Sequence, residues 1–161
     1  GAVRAVAGME PAVVNVHATG GRDMMRAAAE AADGSFSVIA VTVLTSLDQH
    51  DLSAMAIGLP AEDLVVRLAE SASAAGLDGV VCSPREAAAV RRACGDDFLV
   101  ITPGVRPAGY RPDDQKRVAT PAEAMAAGAS ALVVGRPVTR ADSLAEAARA
   151  ILQEAAGAAP R

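Results

Sequence analysis

Short apolar runs alternate with helical patterns along this chain, and that alternation restricts the possible folds more than any other feature. The apolar runs lie at 12–16, 38–44, 79–82, 98–102 and 131–134. The helical patterns lie at 2–7, 22–32, 61–75, 83 onward, 120 onward and 143–154. A repeated β-α order of this kind predicts an α/β fold with a parallel sheet. Runs that are apolar throughout are typical of strands covered on both faces.

Two of the helix starts carry a strong local signal. Ser83 and Thr120 are each followed by a proline and, three residues after the hydroxyl, by a glutamate (Glu86 and Glu123). This spacing predicts an N-terminal capping box at both helices. No linker or shift in composition divides the 161 residues, so we expect one domain, 1–161.

Composition argues against several classes of protein. The net charge is −4 and only 2% of the residues are aromatic, whereas nucleic-acid binding usually needs a basic face and stacking platforms. No apolar run is as long as a membrane span, and the first residues do not resemble a signal peptide. We therefore expect no nucleic-acid partner, no membrane partner and a cytoplasmic location.

Metal binding has a weak basis in the sequence. Cys82 and Cys94 are too few for a disulfide framework, and their separation fits no metal motif. Asp48, His50 and Asp51 together resemble a ligand set, but carboxylates at a helix start are more typical of a solvated face that the helix dipole favours. We predict no metal site.

Polar residues follow the apolar runs, where α/β folds bind their ligands. Thr45 follows the second run, Arg106 lies in a Pro-Gly-Val-Arg-Pro loop after the fourth, and Gly135 and Arg136 follow the fifth. Glycine allows a backbone N–H to approach an anion closely, and a guanidinium adds charge and paired donors. This pattern predicts a phosphate site with hydrogen bonds for a polar, sugar-like body.

Several of these residues also have a structural interpretation. Thr45 and Ser46 fit equally well as caps of a helix that begins near Asp48. The Arg106 loop also fits a rigid turn. His17, at the end of the first run, is more typical of a hydrogen-bonded structural histidine than of a catalyst.

The strand-end motifs, taken in order, resemble those of orotidine 5'-phosphate decarboxylases of the bacterial type. The matching segments are VNVHATGG (14–21), AVTVLTS (40–46), LDGVVCS (77–83), TPGVRP (102–107), DQKR (114–117) and VGRPVT (134–139). The resemblance implies a TIM (β/α)8 barrel of the ribulose-phosphate-binding kind. It also implies decarboxylation of orotidine 5'-monophosphate to UMP and CO₂ in de novo pyrimidine biosynthesis, without cofactor or metal, by a cytoplasmic homodimer.

The resemblance further implies roles for individual residues. The Gly135 backbone and Arg136 match the phosphate contacts, and Gln115 matches the amide that bridges phosphate and pyrimidine. Arg106 matches a ligand contact at the start of the loop that carries Gln115. Thr45 matches a contact near the ribose and base.

One family motif is absent from the chain. The family's catalytic signature, Asp-x-Lys-x-x-Asp on the third barrel strand, has no counterpart in these residues, and Lys116 matches no part of it. Five β/α units also fall short of the eight in a TIM barrel. We therefore expect 1–161 to be the C-terminal part of a barrel, strands four to eight. Such a chain would contain no catalytic residue, would be inactive alone, and would supply phosphate and nucleotide binding.

Two alternatives stay open. The chain fits another phosphate-binding barrel enzyme that acts on a sugar phosphate. It also fits a catalytically inactive fragment or pseudoenzyme that only binds nucleotide.

Overall fold

The computed structural model describes residues 1–108 and 119–157. Within them five strands alternate with helices: β1 Val13–His17, β2 Ser37–Val41, β3 Gly79–Val81, β4 Leu99–Thr102 and β5 Ala131–Leu132. The helices are α1 Ala2–Ala7, α2 Arg22–Ala32, α3 Gln49–Ala54, α4 Ala61–Ala74, α5 Pro84–Cys94, α6 Pro121–Ala126, α7 Arg136–Thr139 and α8 Leu144–Ala156. A 3₁₀ turn, Ala18–Gly20, follows β1. None of the described helices is both long and apolar enough to cross a membrane.

All five strands are parallel and lie in the order β1-β2-β3-β4-β5, which confirms the predicted α/β class. Each connection moves one strand along the sheet in the same direction. Right-handed crossovers therefore place the connecting helices on one face. This is the winding of a β/α barrel, and it differs from a doubly wound sheet, in which the direction reverses.

The main core lies between the sheet and this helical layer. It is built from buried side chains of the strands and of α2, α4 and α5: Val38, Ala40, Val80, Val100, Met25, Ala28, Val65, Ala69, Ala87 and Val90. Val14 and Val16 of β1 pack against it. Alternate residues of a strand point to opposite faces, so the even-numbered residues of β1 and β2 face the helices.

The opposite face of the sheet is covered unevenly. On β1 the residues that point there, Val13, Asn15 and His17, are all exposed, so the prediction of cover on both faces was wrong for this strand. Among the strands that the structure describes, β1 pairs only with β2, so it is an edge strand with a neighbour on one side. On β2, Ile39 points to the same face but is only 3% exposed, because β1 and β3 flank it.

Two strands end earlier than their apolar runs. β2 was predicted to reach 44 but ends at Val41. The Thr42 backbone N–H and Oγ1 both donate to the Val81 carbonyl, at 3.1 and 2.8 Å. β5 ends at Leu132, although the Val133 N–H still donates to the Thr102 carbonyl at 2.9 Å. Apolar composition alone does not distinguish the last ladder residue from the first residue of a buried loop.

The two predicted capping boxes have different outcomes. The box of α6 is confirmed: the Glu123 N–H donates to Thr120 Oγ1 at 3.2 Å, and the Thr120 N–H donates to Glu123 Oε2 at 2.8 Å. The backbone N–H of Thr120 thereby lowers the pKa of Glu123. At α5 the N-cap Ser83 is confirmed, with its Oγ accepting from the Arg85 N–H at 3.3 Å, but Glu86 does not complete the predicted box. Glu86 is only 4% exposed and is one of the buried residues of α5.

Arg91 of α5 joins several segments at the amino ends of the strands. Its Nη1 donates to three carbonyl oxygens, those of Gly95 (3.0 Å), Asp96 (2.7 Å) and Phe98 (2.7 Å). Its Nη2 donates to the Gly128 carbonyl at 2.8 Å and to Ser130 Oγ at 3.0 Å. The Val100 N–H donates to the same Ser130 oxygen at 3.1 Å. One guanidinium thus connects the end of α5, the start of β4 and the turn before β5.

Ala56, just after α3, has a φ of +61°, a left-handed conformation that costs an L-residue about 1–2 kcal/mol. We expect Ala56→Gly to raise the free energy of unfolding by about 0.5 kcal/mol, since the lost strain exceeds the added freedom of the unfolded glycine. Urea unfolding followed by circular dichroism measures the difference. Ala54→Gly, in the exposed last turn of α3, is the matched control and should lower stability. Equal effects at both positions would contradict the assignment of strain to Ala56.

Candidate functional site

Three of the predicted binding segments lie at one edge of the sheet. Because the strands are all parallel, their carboxyl ends meet at a single rim. Thr45 follows β2, Arg106 follows β4, and Gly135 with Arg136 follows β5. Gln115, the fifth predicted contact, lies outside the described residues.

The segment after β5 turns directly into a short helix. α7 begins at Arg136, with Gly135 as its N-cap, whereas the sequence predicted a helix only from about Ser143. The helix predicted from about Ser143 is α8. Its N-cap is Ser143, whose Oγ accepts from the Glu146 N–H at 3.4 Å. Pro137, in the first turn of α7, was the signal that sequence analysis missed, because proline favours that position.

The described residues leave open space beside the Gly135 backbone. A Cβ built on this residue meets no atom of 1–108 or 119–157 within 4 Å. The Gly135 carbonyl accepts from the N–H groups of Val138 and Thr139 at 2.9 and 3.0 Å, which holds the turn in place. Arg136 beside it is half-buried. A fixed turn, open space and a guanidinium are the elements that an anion site needs.

Arg106 is buried and held at the start of its loop. Its side chain is 8% exposed, and Nη1 donates to the Val105 carbonyl at 2.9 Å. The Arg106 backbone N–H donates to the Ala119 carbonyl at 2.9 Å, and Val105 forms a parallel bridge with Ala119. Gly104, with a φ of +75°, makes the turn that brings the chain there. The positive charge is therefore partly removed from water at the rim, where an anion would strengthen its hydrogen bonding.

Thr45 does not cap α3. The N-cap is Asp48: the Asp51 N–H donates to Asp48 Oδ1 at 3.0 Å, and the Asp48 N–H donates to Asp51 Oδ2 at 2.9 Å. The capping alternative for Thr45 and Ser46 was therefore wrong, because they are the two central residues of a turn that the Leu47 N–H and the Leu44 carbonyl close ahead of the helix. Thr45 is 8% exposed, next to the carboxyl end of β2.

Two of the three candidate metal ligands, Asp48 and Asp51, form the cap of α3. Both carboxylates of the box bond to backbone N–H groups, and His50 is exposed on α3. Within 1–108 and 119–157, no group of three or more His, Cys, Asp or Glu side chains is arranged to hold a metal ion. Cys82 and Cys94 are both free thiols, and burial, followed by the charge of Glu70, raises the pKa of Cys94.

His17 was interpreted as a hydrogen-bonded structural histidine, and the structure contradicts this. Its side chain is exposed and makes no hydrogen bond or ion pair in the part of the chain that the structure describes. His17 is one of the residues around a cavity of about 180 Å³ that is otherwise lined by Thr19, Thr42 and apolar residues of the segment after β2 and of α4. Within the described residues the imidazole therefore has no hydrogen-bonding partner.

Comparison with known proteins agrees with the arrangement of strands and rim. The family model described as orotidine 5'-phosphate decarboxylase / HUMPS family matches residues 2–151. The chain belongs to this family. The resemblance noted in the strand-end motifs is thereby confirmed.

Individual members of the decarboxylase family are closely similar to the chain. The orotidine 5'-phosphate decarboxylase of Rhodospirillum rubrum is 54% identical, over 98% of this chain and 67% of the relative. The enzyme of the same name from Thermobifida fusca is 56% identical, over 96% of this chain and 66% of the relative. The chain thus spans about two thirds of the length of these relatives.

A solved structure shows the same fold. The crystal structure of orotidine 5'-phosphate decarboxylase from Lactobacillus acidophilus matches 96% of this chain and 67% of its own, with a TM-score of 0.82 and 36% identity. The five-stranded parallel sheet, with its helices wound in one direction, is consistent with part of the predicted barrel.

Proposed function

We propose that the chain takes part in the decarboxylation of orotidine 5'-monophosphate to UMP and CO₂, and that it supplies the phosphate- and nucleotide-binding part of the site. The observation that carries this proposal is the shared rim, where Arg136, Arg106 and Thr45 follow three parallel strands of a family member. We propose no cofactor and no metal for this reaction.

The phosphate would bind at the end of β5. The open space at Gly135 admits an oxyanion next to the backbone, and the adjacent Arg136 supplies charge-assisted hydrogen bonds. Arg106, buried after β4, and Thr45, buried after β2, would contact the rest of the nucleotide. Gln115 keeps the bridging role that the resemblance implies. These five residues are the proposed substrate contacts.

We assign no proton transfer to the chain. The Asp-x-Lys-x-x-Asp signature that provides the family's acid is not among these 161 residues. Binding energy from a remote phosphate can be used to order the reacting end of a substrate, and this is the contribution that we propose. We place 1–161 as the C-terminal part of a barrel, strands four to eight, in a cytoplasmic homodimeric enzyme.

The test combines binding with turnover. We expect the purified chain to bind UMP in calorimetry and to show no loss of orotidine 5'-monophosphate absorbance. Arg136→Ala should weaken UMP binding about 10- to 100-fold, because a hydrogen-bonded charged group contributes about 1.5–3 kcal/mol. Arg149→Ala, an exposed arginine of α8, is the matched control and should bind normally.

Three results would contradict the proposal. Equal UMP affinity in the Arg136 and Arg149 variants would remove the phosphate role from Arg136. Turnover by the chain alone would mean that a residue present here performs the proton transfer. Binding of ribose 5-phosphate as tight as that of UMP would favour a sugar-phosphate enzyme instead.

A further inference from the structure

His17 lies at the rim and points away from the helical layer. Val14 and Val16 pack on the core beneath the helices, so Asn15 and His17 point to the other face of β1. His17 is the last residue of the strand and pairs with Val41, the last residue of β2. Its imidazole is therefore at the carboxyl edge, on the face that becomes the interior when such a sheet closes into a barrel.

This imidazole has hydrogen-bonding capacity that the described residues do not use. It does not cap the 3₁₀ turn that follows, and it makes no side-chain hydrogen bond or ion pair within 1–108 and 119–157. A neutral imidazole carries one donor and one acceptor. Both are therefore available to a polar group of a ligand that binds at the rim.

The position of His17 relative to β5 indicates which part of a nucleotide it meets. β1 and β5 are four strand spacings apart, which is about 19 Å along the sheet at ~4.8 Å per strand. In an eight-stranded barrel, two strands that are four spacings apart face each other across the interior. A ligand that extends across this interior from a phosphate at Gly135 and Arg136 therefore presents its opposite end toward β1. Thr45, after the neighbouring strand β2, lies on that same side of the rim.

We propose that His17 is a ligand contact that hydrogen-bonds the nucleoside part of the bound nucleotide. This inference rests on the proposed function, because the direction of the ligand is set by its phosphate. It predicts that different residues along the rim recognise different parts of the ligand. Arg136 recognises the phosphate and His17 recognises the end of the ligand that is farthest from it.

The chain offers a direct probe, because it contains only two histidines, His17 and His50. His50 is exposed on α3 and serves as the internal control. The Cε1 proton resonances of both imidazoles are assigned with His17→Ala and His50→Ala and are then followed by NMR in the unsubstituted chain. UMP and uridine should shift the His17 resonance, whereas ribose 5-phosphate should shift it much less. None of the three should shift the His50 resonance.

Affinity provides the second readout. His17→Ala should weaken UMP binding about tenfold, the effect of one lost hydrogen bond of ~1.4 kcal/mol. His17→Gln keeps a donor and should recover part of the loss, and His50→Ala should bind normally. Because the His17 side chain is exposed and unbonded, circular dichroism should show all three variants folded.

The outcomes separate this inference from the proposed function. If UMP binds in an Arg136-dependent way without shifting the His17 resonance, the contact is wrong and the phosphate site stands. If ribose 5-phosphate shifts His17 as strongly as UMP does, the proposed direction of the ligand is wrong. If UMP does not bind at all, both proposals fail.

Discussion

Replacing Gly79 with alanine is expected to prevent the sheet from forming as observed. Gly79 begins β3 and pairs with Ile39 of β2 on one side and with Leu99 of β4 on the other. A Cβ at this position would overlap the Leu99 carbonyl oxygen and the Leu99 Cβ. The obstacle includes backbone in the middle of a ladder, so the overlap cannot be relieved by rotating a side chain.

The expected loss is at least about 3 kcal/mol, the upper part of the usual range for overpacking. That is a large share of the ~5–15 kcal/mol by which domains are stable. Urea unfolding followed by circular dichroism measures it. Gly58→Ala is the matched control, because a Cβ there meets no atom of the described residues within 4 Å and the backbone φ is not positive. A Gly79 variant as stable as the Gly58 variant would show that β3 and β4 separate more easily than the structure indicates.

The second large effect is expected at Arg91. Arg91→Met keeps the aliphatic stem but removes all five hydrogen bonds, leaving partly buried carbonyl oxygens at Phe98 and Gly128 without this donor. We expect the free energy of unfolding to fall by about 3 kcal/mol, since each unsatisfied buried acceptor costs about 1–3 kcal/mol. Arg91→Lys should recover only part of the lost stability. Nη1 and Nη2 of the guanidinium contact two separate groups of acceptors, and a single ammonium cannot reach both groups.

Arg92→Met is the matched control for this prediction, since Arg92 is the exposed neighbour on the same helix. Thermal and urea unfolding give the stabilities, and calorimetry gives UMP affinity. Arg91 lies at the amino ends of the strands, opposite the rim, where residues of β/α barrels contribute stability rather than ligand contacts. The folded fraction of Arg91→Met should therefore bind UMP normally. Unchanged stability would contradict the connecting role of the guanidinium.

Much of the fold follows from local patterns. Short apolar runs separated by helical patterns are enough to predict a parallel sheet, and the α2 pattern agrees with the structure at both ends, Arg22 and Ala32. The Thr120 box was predicted because its two hydrogen bonds involve residues three apart. The Ser83 box is incomplete because Glu86 is buried instead of lying at the helix start in contact with solvent.

The rim also combines features that the sequence predicts with features that depend on tertiary packing. That Thr45, Arg106 and Arg136 share one edge follows from the parallel order alone, once each residue is seen to follow its strand. The burial of Arg106, the cap supplied by Asp48 and the start of α7 at Arg136 do not follow from that order. Each of these depends on how a loop packs after it leaves its strand.

The sequence by itself determined the class of fold and the family, because periodicity, caps and motifs act over a few neighbouring residues. Only the tertiary structure decided which face of β1 is covered, why Gly79 must lack a side chain, and what Arg91 holds together. It also decided that the side chain of His17 makes no hydrogen bond within the described residues. These properties arise from contacts between residues far apart in the chain, and such contacts exist only after the strands have paired and the helices have packed.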